Sequence, residues 1–218
     1  MTQIHESRTS SHPFIDTVWK SQNLTDGVYL ATPDGSWDVI VGFDINNHPS
    51  GIIAGQATKP MRVPYTAGTR SVVVSFAAGV FMPQLPASEL LDSTRPLEMI
   101  SDSHFTLFGH TFALPTFETA EEMVNEMVKA GVLKHDDLVD SLLGGAPKAV
   151  SSRSTQRRFV KTTGTTKKQL EQIERAKEAV RLLKQGKHQS KQLLMLAMQT
   201  SRIWQNRSKK SCIQSRRM

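Results

Sequence analysis

The residues whose types and spacing favour chemistry lie in one short stretch, from Val150 to Gly164. In a helix, side chains three or four positions apart share a face. One face would carry Thr155 and Phe159, and the other would carry Arg153, Gln156, Arg157 and Lys161. Arginine and glutamine form paired hydrogen bonds with the edges of guanine and adenine in the major groove of DNA. The stretch therefore has the chemistry of a DNA-reading helix, although a solvated basic helix carries the same residue types.

Local signals predict that this helix spans residues 151–163. Ser151 is suited to be its N-cap, because a serine hydroxyl accepts a hydrogen bond from a free backbone N–H of the first turn. Val150 and Thr155 occupy the two positions of a hydrophobic staple. Gly164 can end the helix with a positive φ.

The charge of the chain is divided unevenly along its 218 residues. Residues 1–147 contain 8 Lys and Arg against 17 Asp and Glu, whereas residues 148–218 contain 19 against 3. This asymmetry predicts that the C-terminal part contacts nucleic acid. An anionic membrane surface is the alternative partner, but the basic helices carry Gln, Thr and Ser where a membrane helix needs Trp, Phe and Leu.

Cysteine content and hydropathy indicate a soluble, cytoplasmic protein. The single cysteine, Cys212, excludes an internal disulfide framework and a cysteine zinc site. Residues 1–13 are polar, and the chain contains no run of about eighteen apolar residues that could span a membrane.

The sequence pattern of residues 14–115 is typical of short strands separated by turns. Segments rich in β-branched and aromatic residues lie at 14–20, 37–43, 52–57, 71–76 and 105–112. Short strands without intervening long helices predict an antiparallel barrel or sandwich. The continuous apolar runs at 39–41 and 72–74 predict strands covered on both faces.

After Pro115 the sequence pattern becomes helical. Strands followed by helices predict an α+β fold class. Thr119 and Glu122 have the spacing of a capping box, and Gly131 would end the helix that follows. Further helices are predicted at 87–92, 136–143 and 167–185. Helix, tight turn, cationic helix and long amphipathic helix follow in the order of a helix-turn-helix domain.

The sequence contains no catalytic or metal-binding pattern. Its seven histidines form no His-x-His or His-Glu-x-x-His, and no Gly-x-Ser-x-Gly elbow or phosphate-cradling glycine loop occurs. We therefore expect no enzyme activity, no metal and no cofactor. Trp37 and Asp38 are candidates for an effector pocket, but we favour a core aromatic for Trp37 and a turn or edge position for Asp38.

Several dissimilar motifs follow one another along the chain. They are Pro33-Asp34-Gly35-Ser36-Trp37-Asp38-Val39-Ile40, Pro86-Ala87-Ser88-Glu89-Leu90-Leu91-Asp92, Ser151-Ser152-Arg153-Ser154-Thr155-Gln156-Arg157-Arg158-Phe159, Thr163-Gly164 and Gln172-Ile173-Glu174-Arg175-Ala176. In these motifs the chain resembles the AraC/XylS family of bacterial transcription regulators, in the branch with a Pro-Asp-Gly-x-Trp-Asp strand in its N-terminal domain. The resemblance covers roughly residues 14–187, with one departure at Thr155, where the family usually places a larger apolar residue.

The resemblance implies a β-rich sensor or dimerisation domain at residues 14–115 and a helical DNA-binding domain at 116–187. Residues 151–163 would be the first reading helix and 167–185 the helix that joins it to a second unit. The partners implied are double-stranded DNA, a small-molecule effector and a second copy of the chain. We assign Arg153, Gln156 and Arg157 to base edges. The residues placed nearer phosphates are Ser152, Arg158, Lys161, Lys167 and Lys168.

The segment 188–218 departs from the family, because the Gly-Tyr-x-Asp-x-x-His segment of the second helix-turn-helix is missing. Permitted codon choices for this tail, read in the shifted frame, give ASIKAAADAGYADQPHLAKSLKKIMHT in one-letter code, which looks like that second unit. Met followed by Gln, and Trp followed by Gln, force alanine in that frame. We hypothesise that 188–218 is a frameshifted reading that leaves the helical domain incomplete, with disorder beyond Arg207. A variable basic tail is the alternative.

The sequence thus predicts a sequence-specific DNA-binding transcription regulator, impaired by loss of its second reading helix. Two alternatives stay open. One is a small-molecule-binding or enzymatic β domain with a basic appendage, and the other is an inactive regulator remnant.

Overall fold

The computed structural model describes residues 2–143 and 152–184, and antiparallel strands dominate the first of these ranges. The strands are β1 (Gln3–Thr9), β2 (Ile15–Asn23), β3 (Gly27–Ala31), β4 (Asp38–Phe43), β5 (Pro49–Ala54), β6 (Met61–Tyr65), β7 (Arg70–Phe76), β8 (Val80–Phe81), β9 (Thr94–Pro96), β10 (Glu98–Ser101), β11 (His104–Leu107), β12 (His110–Ala113) and β13 (Lys134–His135). The helices are α1 (Ala87–Leu90), α2 (Ala120–Lys129), α3 (Asp137–Leu143), α4 (Ser152–Thr163) and α5 (Lys167–Lys184). The fold is mixed α+β, as predicted, with antiparallel sheets first and helices after them.

The main sheet has six strands in the order β1-β2-β7-β4-β5-β9, and every neighbouring pair is antiparallel. Val73 and Val74 are both fully buried although they project to opposite faces of β7. Val39 and Val41, on the neighbouring β4, are fully buried as well. Ile40 and Val72, the remaining members of the two runs, are half-buried. The prediction that these strands are covered on both faces is therefore confirmed at Val73 and Val74 and holds in part for the rest.

Three smaller sheets complete the β structure. One contains β10, β11 and β12, a second pairs β13 with β8, and the third is an isolated ribbon of β3 and β6. The single strand expected at 105–112 is in fact the hairpin β11–β12, which turns where Phe108 and Gly109 both have positive φ.

Helix α2 packs on the strands through a continuous apolar stripe. Met123, Val124 and Met127 are buried in the same hydrophobic core as residues of β2, β4 and β7. Gly131 follows the helix with φ 72°, as its sequence predicted. The prediction of a capping box was wrong. The Thr119 hydroxyl does not cap α2 and instead accepts a hydrogen bond from the Thr116 N–H at 3.0 Å.

The strand β1 was not expected from the sequence, and it is held by backbone pairing and by a side-chain contact. It pairs with β2 over its whole length. Its Arg8 donates to both carboxylate oxygens of Glu121, at 2.6 and 2.7 Å, and also to the Phe117 carbonyl. The hydrogen bonds from Arg8 lower the pKa of Glu121 to about 2, against the opposing effect of burial, and Ser10 adds a further donor.

The chain divides into two compact units between Lys167 and Lys168. Helix α2 shares the core of the strands, and α4 lies in the same unit as the β structure. The functional domains predicted at 14–115 and 116–187 stay a prediction. The predicted N-cap Ser151, the staple residue Val150 and the tail 188–218 lie outside the described residues. Within the part that is described, no helix is long and apolar enough to cross a membrane.

Candidate nucleic-acid interface

Helix α4 spans residues 152–163 and has two chemically different faces. Phe159, Thr162 and Thr163 are buried. The exposed residues include the three predicted base readers, Arg153, Gln156 and Arg157, and the predicted phosphate contact Lys161. The predicted division into a packing face and a cationic face is confirmed, since the residue types alternate with the helical period.

The exposed cations form one row along the helix. Arg153, Arg157 and Lys161 are four positions apart, so the row runs for about 12 Å, roughly the width of the major groove of B-DNA. No carboxylate among the described residues pairs with any of the three. Like charges four apart destabilise a helix by about 0.2–0.5 kcal/mol per pair. A helix that carries this cost without acidic partners is suited to bind an external polyanion.

A single buried carboxylate fixes the orientation of α4. Asp136 is 4% exposed and accepts hydrogen bonds from Arg158 Nε and Nη2, both at 2.8 Å, and from the Thr162 hydroxyl at 3.0 Å. It also caps α3, because its Oδ1 accepts the backbone N–H of Leu138 at 3.0 Å. Burial alone would raise the pKa of Asp136, but the hydrogen bonds from Arg158, Leu138 and Thr162 together hold the pKa below its ordinary value.

Arg158 was predicted to lie near phosphates, and the structure places its guanidinium on Asp136 instead. The pair is bidentate, a geometry that fixes both position and orientation. The Arg158 side chain is still 61% exposed, whereas that of Asp136 is 5% exposed. The contact of Arg158 with Asp136 therefore helps to position α4.

The other predicted phosphate contacts differ in exposure. Lys168 and Lys161 are exposed, and Lys167 is half-buried. Ser152 is the first residue of α4, which places its backbone at the N-terminus of the helix.

The end of α4 is fixed by a glycine and a threonine. Gly164 has φ 73°, and its N–H donates to the Val160 carbonyl at 2.8 Å. A Cβ at this position would lie 2.7 Å from the Ala87 carbonyl oxygen, so only glycine lets α4 approach α1 this closely. The Thr163 hydroxyl lies 2.9 Å from the Phe159 and Thr165 carbonyl oxygens, both within its donating reach.

Thr155 is a weak point on the packing face. Its side chain is half-buried, and its hydroxyl oxygen is buried with no hydrogen-bond partner. A buried polar atom without a partner costs about 1–3 kcal/mol. An apolar side chain at this position would avoid that cost.

Asp136 and Thr162 are site residues that the sequence reasoning did not identify. Asp136 is the first residue of the helix predicted at 136–143, a position where an acidic residue can act as a cap. Nothing local indicates that its partner is Arg158, which lies 22 positions further along the chain.

Two buried acceptors in the β structure have no partner. Asp38 lies in β4 between β5 and β7, so the expectation of a turn or edge position was wrong. Its Oδ1 has no hydrogen bond, and burial, with Asp34 adding, raises the pKa of Asp38 to about 7 against a hydrogen bond with Ser75. The second acceptor is Gln56 Oε1, in the wall of a cavity of about 20 Å³ that has room for about one water molecule.

Trp37 is a packing residue, as we favoured. Its ring stacks on Phe76 with centroids 4.0 Å apart, and its indole N–H donates to the Val80 carbonyl at 2.9 Å. No group of three or more His, Cys, Asp or Glu side chains in the described ranges is arranged to hold a metal ion.

Comparisons with protein-family models, with curated proteins and with solved structures find no match for this chain.

Proposed function

We propose that this chain is a DNA-binding transcription regulator of the AraC/XylS type that contacts double-stranded DNA through the exposed face of α4. The observation that carries the proposal is the row of Arg153, Arg157 and Lys161, exposed and without carboxylate partners among the described residues, with Gln156 beside it. In this proposal the antiparallel sheets belong to a barrel-like sensor domain, and α3, α4 and α5 belong to the helix-turn-helix region.

The buried side of α4 supports the proposal as well. A reading helix must hold its side chains within a fraction of an ångström, because paired hydrogen bonds to a base edge tolerate little displacement. Asp136 holds α4 through two side chains, and Gly164 allows close contact at its end. Cationic helices that are only solvated surfaces need no such fixed orientation.

One reading helix sets the expected strength of binding. A good bidentate contact contributes about 1–3 kcal/mol of discrimination, so a few such contacts provide limited sequence preference. Phosphate contacts give binding that weakens steeply with salt. We therefore expect weak, strongly salt-dependent binding with little preference between sequences. A complex that prefers one short site by a thousandfold at physiological salt would contradict a single reading helix.

A pair of matched variants tests where DNA binds. Arg157→Ala removes one exposed cation from α4, and Arg62→Ala removes one exposed cation from β6, so both lower the net charge by one. We expect Arg157→Ala to weaken binding of the full-length protein to a labelled mixed-sequence duplex about fivefold or more, measured by fluorescence anisotropy. Arg62→Ala should change it less than twofold. Equal losses in the two variants would show that only net charge matters and would remove α4 from the interface.

A further inference from the structure

The ribbon of β3 and β6 exposes an unusual amount of apolar surface. Of the ten large hydrophobic residues that are exposed among the described residues, five lie in these two strands. They are Val28, Tyr29, Leu30, Met61 and Val63. Successive residues of a strand project to opposite faces, so both faces of the ribbon are apolar. Contiguous exposed apolar surface in a protein marks an interaction site.

The two edge strands of the main sheet carry features that block pairing with another chain. The edge strand β1 contains Glu6 and Arg8, and the edge strand β9 is three residues long and ends at Pro96. Within the ribbon, β6 contains Arg62 and Pro64. Charges, prolines and short length are the means by which proteins protect the edges of their sheets.

The strand β3 has none of these features. Its sequence is Gly-Val-Tyr-Leu-Ala, without charge or proline, and β6 is the only described strand that pairs with it. An edge of five pairing-competent, mostly apolar residues is a template for another strand.

The register shows which backbone groups of β3 point outward. Val28 lies opposite Pro64, which has no N–H and therefore cannot exchange two hydrogen bonds with its partner. Hydrogen-bonded and non-bonded pairs alternate along antiparallel strands. The pairs at Gly27, Tyr29 and Ala31 thus bond within the ribbon, and the N–H and C=O groups of Val28 and Leu30 face away from β6.

We propose that β3 is a docking edge for a second copy of this chain, which adds its own β3 antiparallel across a two-fold axis at Tyr29. In this arrangement Val28 exchanges two hydrogen bonds with Leu30 of the second copy, and Leu30 exchanges two with Val28. Tyr29 lies opposite its own equivalent, beside the exposed Val63 of each ribbon. The strand is self-complementary because a two-fold axis at its central residue pairs apolar side chains with apolar side chains on both faces.

A single cysteine tests the register directly. Residues opposite each other in a non-bonded antiparallel pair have Cα atoms about 4.5 Å apart, within the range of a disulfide. In the full-length protein with Cys212→Ser, Tyr29→Cys should form a covalent dimer under mild oxidation. The control Ile100→Cys, at a similarly exposed position of β10, should not. Equal yields from the two cysteines would overturn the pairing.

A proline in β3 tests the outward backbone groups and leaves most of the exposed apolar surface of the ribbon in place. Val28→Pro deletes an N–H that the ribbon does not use, so the folded monomer is retained while two of the four bonds between copies are lost. Sedimentation velocity over a concentration series should show dimers for the wild type and a dissociation constant at least about tenfold higher for Val28→Pro. Dimerisation of Val28→Pro at the wild-type strength would refute the proposal, and so would a wild type that is monomeric throughout the series.

A lysine variant covers the case in which Val28→Pro fails to fold. Leu30→Lys adds a charge to the same edge, and Ile100→Lys makes the same change at a residue of nearly equal exposure, 52% against 55%. Leu30→Lys should weaken the dimer at least about tenfold, and Ile100→Lys should leave it unchanged. Equal effects of the two lysines would place the contact elsewhere.

Discussion

Removal of the Asp136 carboxylate is the perturbation that tests most sharply how α4 is held. Asp136→Ala deletes the acceptor for two Arg158 N–H groups, for the Thr162 hydroxyl and for the Leu138 N–H that begins α3. Each of these contacts loses a partner at 2.8–3.0 Å.

The magnitude follows from the exposure of each partner. Arg158 is 61% exposed, so water replaces Asp136 around its guanidinium and the loss of this contact adds little. The helix cap contributes about 1 kcal/mol. Thr162 is 6% exposed, and its hydroxyl would be left buried without this acceptor, at about 1 kcal/mol or more. Asp136→Ala should therefore lower the free energy of unfolding by about 2–3 kcal/mol.

Urea unfolding followed by tryptophan fluorescence measures this difference. Asp137→Ala is the matched control, because it removes the next carboxylate along the chain, whose side chain is 90% exposed. We expect the control to change the free energy of unfolding by about 0.5 kcal/mol or less. If Asp136→Ala were as mild as its neighbour, the carboxylate would not be what positions α4.

The same variant has a defined pH dependence. The pKa of Asp136 is lowered in the folded protein, so its contribution is fully present above the unfolded pKa of about 3.9 and is lost as the pH falls through the folded pKa. The difference between wild type and Asp136→Ala should accordingly shrink in acid, below about pH 4. A difference that stays constant down to pH 2 would contradict the assigned ionisation.

Two further substitutions test the packing of the β structure and α4. Gly164→Ala should destabilise the fold by about 1–3 kcal/mol more than Gly109→Ala. Both glycines have positive φ, but only at Gly164 would a Cβ lie 2.7 Å from the Ala87 carbonyl oxygen. Thermal unfolding measures the difference, and equal shifts in the two variants would refute the close approach. The pKa of Asp38 is raised to about 7 in the folded protein, so the folded state becomes more stable as the pH falls from 8 towards 4. The largest gain in the free energy of unfolding over this range is about 4 kcal/mol. Asp38→Asn should abolish this pH dependence. Urea unfolding at pH 5 and pH 8 measures the slope, and an unchanged slope in the variant would show that another group titrates.

The sequence was most informative where one pattern repeats along a buried element. The runs at 39–41 and 72–74 predicted a sheet centre covered on both faces, because adjacent residues of a strand project to opposite faces and all of them are apolar here. The glycines at 131 and 164 predicted helix ends, and both have positive φ. Within the described residues, α4 ends at Thr163 and α5 begins at Lys167, the two bounds that were predicted there.

The elements that were missed are strands with little apolar periodicity. The strand β1 reads Gln-Ile-His-Glu-Ser-Arg-Thr, and it is stabilised by backbone pairing and by the Arg8–Glu121 contact, whose partners are 113 positions apart. The ribbon strands β3 and β6 expose both faces, so neither shows the alternation of a half-buried strand.

The contacts that hold α4 in place also could not be predicted from local sequence patterns. The reading face was predicted because its residues share one helical period. The pairing of Arg158 with Asp136 depends on how α4 packs beside α3, which no spacing within α4 encodes. For this reason the sequence assigned Arg158 to phosphate, and the structure gives it a positioning contact.

The salt dependence of DNA binding tests the central claim most directly. The slope of log K against log salt is negative, and its magnitude falls by about 0.9 for each phosphate contact that is lost. Lys161 is assigned to a phosphate, whereas Arg153 and Arg157 are assigned to base edges. The triple variant Arg153→Ala, Arg157→Ala, Lys161→Ala should therefore reduce the magnitude of the slope by about 1 relative to the wild type, and weaken binding further through the lost base contacts, with the fold intact by circular dichroism. A triple variant that binds with the wild-type slope would show that DNA, if it binds at all, does not contact the exposed face of α4.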